Sequence, residues 1–290
     1  MEITAAAVAK LREMTNAGMM DCKKALIEAN GDLEAAVTIL RKKGAATAST
    51  KGAREAREGV IAAEIAPDGR LGVLVEVNCQ TDFVARNEMF RAFADNVARK
   101  LAKNPKTDFE AERVEMVAKI RENIQIPRHS RMEVNGNGMI AAYIHTGGKV
   151  GVLAEVGAGK ESTVTNEDFK QLVKDITLQI AAGHPHVVSR EQVPPAILAS
   201  ERDIAAQSDR LKGKPAQAIE KIVQGMLEKF YQTYCLVDQG FVKKPEISVK
   251  EHVAGVGKQL GDEIVIRRFV RFQVGEAGPA SEAENTAKAA

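Results

Sequence analysis

Gly-Lys dipeptides, cysteines, histidines and one acid–aromatic pair are the residues of this sequence whose types could do chemistry. A Gly-Lys pair can close a phosphate loop if a glycine stands five positions before the second glycine and Ser or Thr follows the lysine. At Gly159-Lys160 those positions hold Ala154 and Glu161; at Gly257-Lys258 they hold His252 and Gln259. Neither stretch can wrap a phosphate as that loop does. His184 and His186, in "GHPH", have no acidic or cysteine neighbour in sequence, and His129, His145 and His252 stand alone. Spacings of this kind predict no metal centre. Cys22, Cys79 and Cys235 are odd in number and far apart, which predicts buried, reduced thiols rather than a disulfide framework. No neighbour in sequence would lower the Cys79 pKa. No cofactor site emerges.

The acid–aromatic pair is Asp82-Phe83, in "NCQTDFVAR" at residues 78–86. The apolar run "LGVLVEV" enters this stretch as a strand, and "NEMFRAFADNVARKLA" leaves it with helical periodicity. Strand-to-helix junctions usually carry Gly, Asn, Ser or Asp. A phenylalanine there is either tucked under the helix or offered to a partner.

An internal repeat bears on the choice. Residues 59–102 lie over 138–181 without a gap, with 15 of 44 positions identical, so the same local structure is expected twice. Each copy reads strand, turn, strand, loop, helix. "PDGR" and "TGGK" are the turns. Phe90, Phe93, Val97 and Leu101 form the covering stripe of one helix, and Phe169, Leu172, Ile176 and Ile180 repeat it. Phe83 falls opposite Ser162, and Asp82 opposite Glu161. The fold therefore tolerates a polar residue at that position, which favours an exposed Phe83 acting as an interface anchor beside its acid.

The remaining elements frame the repeat. Residues 3–43 predict three short helices, with Gly18 breaking the first pair, Asp32 capping the third and Gly44 stopping it. Met19-Met20 either offers an adaptable contact surface or plugs this small core. Residues 44–58 read as a linker or an exposed helix. "FEAERVEMVAKIREN" predicts a helix and "IQIPRHSRMEV" a strand between the copies. Residues 194–234 predict a projecting antiparallel helical hairpin, with Ile197, Ile204 and Leu211 seven apart, that interrupts the second copy. A helix at "SVKEHVAGVGKQLG" and a strand at "DEIVIRRFVRFQVGE" then complete it.

Bulk properties exclude several classes. The net charge is +2, tryptophan is absent and aromatics are 4%, so neither nucleic acid nor an anionic membrane finds a matching surface. No apolar run reaches the roughly 18 residues of a membrane span. Glu2 stands where a secretory leader needs base, so a cytoplasmic protein is expected.

"LREMTNAGMMDCKKALIEANGDLEAAVTILRKKG", "EVNCQTDFVARNEMF", "YIHTGGKVGVLAEV" and "RFVRFQVGE" resemble, in order and spacing, the bacterial elongation factor Ts family over about residues 1–275. The resemblance implies a non-enzymatic guanine-nucleotide exchange factor whose partner is elongation factor Tu. It implies that Thr81, Asp82, Phe83 and Val84 form the segment that dislodges the partner's magnesium ion, with Phe83 as the wedge. It implies that Arg12, Met19 and Met20 contact a neighbouring helix of the same partner domain, that the second repeat grips another domain, and that the helical hairpin forms a homodimer contact. After "VGE" the chain reads "AGPASEAENTAKAA", without the further amphipathic segment of some family members, so the resemblance carries no C-terminal contact.

The expected fold class is α+β. It comprises a UBA-like three-helix bundle (1–44), a linker (45–58), a first core subdomain (59–137), a second (138–193 and 235–275) built on the same β-hairpin–helix unit, the helical-hairpin insertion (194–234), and a disordered tail (276–290). On residue types alone, an enzyme using Cys79 or a histidine between the copies stays open, as does an adaptor joining partners through the hairpin.

Overall fold

The computed structural model describes residues 3–15, 17–51, 55–208 and 214–276. The chain is mixed helix and sheet. It begins with three helices, α1 (Ala5–Thr15), α2 (Met19–Glu28) and α3 (Leu33–Lys51). Their shared core is Val8, Leu11, Cys22, Ala25, Leu26 and Ala36. The α2–α3 turn follows from its residues: Asn30 and Gly31 take positive φ, and Asp32 Oδ1 accepts from the Glu34 and Ala35 amides.

The third helix does not stop at Gly44. It runs on to Lys51 through an alanine-rich stretch, which favours helix. Gly44 is buried against α6 (Glu110–Ile120), where an added Cβ would lie 3.0 Å from the Ala118 Cβ. It is a close-packing glycine, not a helix stop.

Two copies of one unit follow. The first has β1 (Glu58–Ile65), β2 (Leu71–Cys79), α4 (Asp82–Ala85), α5 (Glu88–Lys103), α6 and β3 (Gln125–Glu133). The second has β4 (Gly138–Ile144), β5 (Val150–Ala158), α7 (Glu161–Val164), α8 (Glu167–Gly183), α11 (Val249–Leu260) and β8 (Ile264–Gln273). Each copy makes a three-stranded antiparallel sheet, in the orders β1-β2-β3 and β4-β5-β8. The junctions expected to be loops are single helical turns, α4 and α7. Asn87 and Asn166 explain the restart behind them: each side chain caps the helix that follows.

The layers run α5, first sheet, second sheet, α8. Val73, Val75 and Val77 face α5, joining Phe90, Phe93, Val97 and Leu101 in one core. Leu74 faces the other way, into a layer between the sheets with Ile61, Ile140, Leu153 and Phe272. Burial on both faces is why "LGVLVEV" is almost continuously apolar.

The sheets meet about a pseudo-two-fold relation that is visible atom by atom. The Ile61 amide donates to the Gly148 carbonyl, and the Ile140 amide donates to the Gly69 carbonyl, both at 2.7–2.8 Å. An added Cβ at Gly72 would meet Ile140 at 2.6 Å, and one at Gly151 would meet Ile61 at 2.4 Å. Buried Glu76 pairs with Arg128, whose guanidinium donates to the Gln273 carbonyl; buried Glu155 pairs with Arg268, which donates to the Glu133 carbonyl. The repeat therefore extends past its obvious part: residues 121–134 match 261–274 as well, down to the left-handed Arg121 and Gly261.

The second copy carries an insertion. It holds α9 (Pro195–Ala206), α10 (Ala216–Tyr234) and a small hairpin, β6 (Gly240–Phe241) and β7 (Lys244–Ser248), that periodicity did not reveal. The helices α9 and α10 pack on each other. Ile204 nevertheless points outward and is 58% exposed, while Ala205 is buried, and Leu211 lies outside the described residues. Arg190 fastens the hairpin's base by bonding Glu228 on α10 and Asp238 beyond it. Of the expected tail, residue 276 is exposed, and 277–290 lie outside the described residues. No described helix is long and apolar enough to cross a membrane.

Candidate partner-binding surface

The four residues of "TDFV" have different surroundings. Thr81 is the N-cap of α4, in extended conformation, and its Oγ accepts from the Val84 amide at 3.4 Å. Asp82 is half-buried and its carboxylate accepts from Arg86 at 3.0 Å, one turn along. Val84 packs against the first core, and Ala85 is buried there. With successive helical residues turned about 100° apart, seating Val84 and Ala85 inward forces Phe83 outward. It is 82% exposed, the most exposed of the large apolar residues among those described. Ser162 is exposed at the matching place in α7. The position faces solvent in both copies, and only the first puts an aromatic ring there.

What holds this turn was not legible from its own stretch. Glu122, in the turn between α6 and β3, receives three hydrogen bonds from it. The Gln80 and Thr81 amides donate to Oε2 at 2.9 and 3.0 Å, and the Thr81 hydroxyl donates to Oε1 at 2.7 Å. Asp262 holds the second junction by a related pair of bonds, one of its oxygens accepting from the Lys160 amide at 2.9 Å and the Thr163 hydroxyl at 2.6 Å. Aligning 121–134 with 261–274 would have found the pair, because it sets Glu122 over Asp262.

Beside Phe83 lies a cleft of about 300 Å³ between the copies, lined by Asp82, Ala85, Arg86, Arg91, Gly147 and Lys149. Arg91 crosses it, donating to the Ala85 carbonyl at 3.1 Å and to the Gly147 carbonyl at 3.4 Å. Lys149 pairs with Glu58. Each of these three cations thus has a partner within the chain, Arg86 having Asp82.

The structure brings Arg12, Met19 and Met20 together. They line one groove of about 710 Å³ between α1 and α2, with Ile3, Val8 and Lys23. Met19 and Met20 are 59% and 64% exposed, so they do not plug the bundle core, which Leu11, Cys22 and Leu26 fill. Asp21, next to the methionines, forms an ion pair with Arg121, next to Glu122. Gly18 leaves room for that pair: an added Cβ would sit 2.8 Å from the Arg121 guanidinium.

The cysteines and two of the histidines are engaged in packing. All three cysteines are buried free thiols. Burial, with Glu122 nearby, pushes the Cys79 thiol up to about 12, and burial with Asp238 pushes Cys235 up to about 11. A thiol held protonated in this way is a poor nucleophile at neutral pH. His252 stacks on Phe241, and His186 on Tyr234, as ring-packing residues. Among the described residues no group of three or more His, Cys, Asp or Glu side chains is arranged to hold a metal ion.

Residues 80–276 match the family model described as Elongation factor TS. Elongation factor Ts of Nitratidesulfovibrio vulgaris is 39% identical over 285 residues, covering 98% of this chain and 99% of that protein. The protein of the same name from Trichlorobacter lovleyi is 41% identical, covering 100% and 98%. That from Alkalilimnicola ehrlichii is 43% identical, covering 99% and 97%.

Proposed function

The chain belongs to the elongation factor Ts family, and from that premise we propose that it is the guanine-nucleotide exchange factor of elongation factor Tu. It acts by binding rather than by catalysis on a substrate, and needs no cofactor of its own. In this reading Phe83 enters the nucleotide-binding domain of the partner near its magnesium ion, with Asp82 beside it. The groove of Arg12, Met19 and Met20 holds a neighbouring helix of that domain. The second repeat grips another partner domain. The helical hairpin offers a homodimer contact, and the site of action is the cytoplasm, without direct contact to nucleic acid or membrane.

The domain division proposed is the same: a UBA-like bundle to residue 44, a connecting segment to 58, core subdomains at 59–137 and at 138–193 with 235–275, the insertion at 194–234, and a tail from 276.

The observation that carries this reading is Phe83 itself. A large apolar side chain 82% in water stands on a turn whose opposite face is anchored in the core. The second copy places Ser162 at the matching exposed position, so the fold does not require a ring there, and a covering partner surface accounts for it. The energetics set what else is needed. Burying one phenylalanine yields about 1.5–3 kcal/mol. Accelerating release a thousandfold needs about 4 kcal/mol. The ring therefore cannot act alone, and the methionine groove and the second repeat supply the rest. Coupling of this kind is reciprocal: if the factor weakens GDP, GDP weakens the factor by the same amount.

The test is release of a fluorescent GDP analogue from elongation factor Tu. The chain is expected to accelerate release in a saturable way and to bind the nucleotide-free partner more tightly than the GDP form. A release rate independent of the chain's concentration would refute the assignment.

A further inference from the structure

We propose that Glu122 is a positioning residue for Phe83, setting the direction in which the ring leaves the protein; this rests on the exchange reading above. The geometry is specific. Glu122 uses both carboxylate oxygens on the two residues immediately before Asp82-Phe83, one oxygen for the Gln80 and Thr81 amides and the other for the Thr81 hydroxyl. Those are the last groups before α4, so they fix where its first turn begins. A one-turn helix has too few internal hydrogen bonds to hold its own axis. Seating Val84 and Ala85 in the core turns the ring outward, and what grips the ends of the turn fixes where its axis starts and runs. At the far end Asn87 starts α5 and Arg91 holds the Ala85 carbonyl. At the near end the grip is Glu122.

The second copy supports this division of labour. Asp262 also grips the α7 junction, through one oxygen that accepts from the Lys160 amide and the Thr163 hydroxyl, although Ser162 offers no ring there. The clamp belongs to the repeated fold, and the first copy places an aromatic on the turn it holds. Glu122 also follows Arg121, whose ion pair with Asp21 reaches the helix bearing Met19 and Met20. One turn of chain thereby sets the ring and touches the bundle that carries the other contact.

The chemistry separates two substitutions. Glu122→Ala removes every acceptor and leaves two amides without their partners. Glu122→Gln keeps one oxygen for the two amides, and its amide nitrogen can donate to the Thr81 hydroxyl, which turns to accept. The glutamine variant should therefore preserve the turn, and the alanine variant should free it.

The experiment measures GDP release from elongation factor Tu across a range of concentrations of the full chain, native and with Glu122→Ala, Glu122→Gln, Phe83→Ala or Phe83→Ala with Glu122→Ala. Hydrogen exchange of the Gln80 and Thr81 amides is followed in the same proteins. Glu122→Ala is expected to lower the maximal release rate about tenfold, with the half-saturating concentration changed less than about twofold. Glu122→Gln should stay within about twofold of native. The double variant should be no slower than Phe83→Ala alone, because a misdirected ring and an absent ring fail at the same step. Amide protection should fall only in the proteins carrying Glu122→Ala. Native release by Glu122→Ala beside slow release by Phe83→Ala would overturn the positioning role and leave the exchange reading intact. So would a double variant slowed by the product of the two single effects, or retained amide protection in Glu122→Ala. Native release by Phe83→Ala would instead overturn the wedge, and the positioning role with it.

Discussion

Phe83→Ala is expected to slow GDP release from elongation factor Tu by about ten- to a hundredfold while leaving the chain's melting temperature unchanged. The magnitude follows from the 1.5–3 kcal/mol that a buried phenylalanine contributes, at about 1.4 kcal/mol for each tenfold in rate. The absence of a stability effect follows from exposure: at 82% exposed, the ring supports no packing of its own chain. Phe83→Leu should retain part of the rate, because it keeps most of the apolar volume. The pair of measurements matters more than either alone. A slow and unstable variant would point to a structural residue, whereas a slow and stable one marks a surface anchor.

Arg128→Met is expected to do the reverse, lowering stability by about 3–5 kcal/mol, or roughly 6–20 °C in melting temperature. The Glu76 side chain is 0% exposed. One of its oxygens accepts from the Arg128 guanidinium at 2.8 Å, and the other from the Gly275 amide at 2.9 Å. Methionine keeps the length of the arginine stem but strands the carboxylate in the layer between the sheets. Arg128 also donates to the Gln273 carbonyl and lies 4.3 Å from the centre of the Phe272 ring, so its loss opens the contact between the copies. The pseudo-symmetric change, Arg268→Met, should cost less, because Glu155 keeps Arg267 as a second cation at 2.9 Å. Adding Glu76→Gln to Arg128→Met should recover part of the loss by removing the stranded charge. Chemical denaturation reads all three; a single Arg128→Met variant within 1 kcal/mol of native would show that water or another group solvates Glu76.

The parts of this molecule that a sequence shows best are those built from local rules. The matching strands and helices of the two copies follow from period, turn residues and capping asparagines, all within a few positions of one another. The exposure of Phe83 was legible for a less common reason: the second copy acts as an internal control, with Ser162 at the same site. The rest was hidden by distance or by shortness. Glu122 grips residues 41 and 42 positions away, and nothing local to either end reveals the contact. The one-turn helices α4 and α7 and the two-residue strand β6 are too short to show a period. Gly44 misled because glycine usually ends helices, whereas here α3 passes close to α6 and needs a residue without a side chain. Met19 and Met20 have the same residue type whether they plug a core or line a groove, so only the packing of Leu11, Cys22 and Leu26 beneath them could decide.

In the proposed function Phe83 works through the partner's magnesium ion. If so, its contribution should vanish when that ion is already absent. The measurement is the ratio of GDP-release rates given by the native chain and by Phe83→Ala, taken with saturating magnesium and again with the metal chelated. A ratio of about ten or more with magnesium, falling to within about twofold of one without it, is the expected result. A ratio that stays the same in both conditions would rule out the metal route, because Phe83 would then be acting on the nucleotide site in some other way.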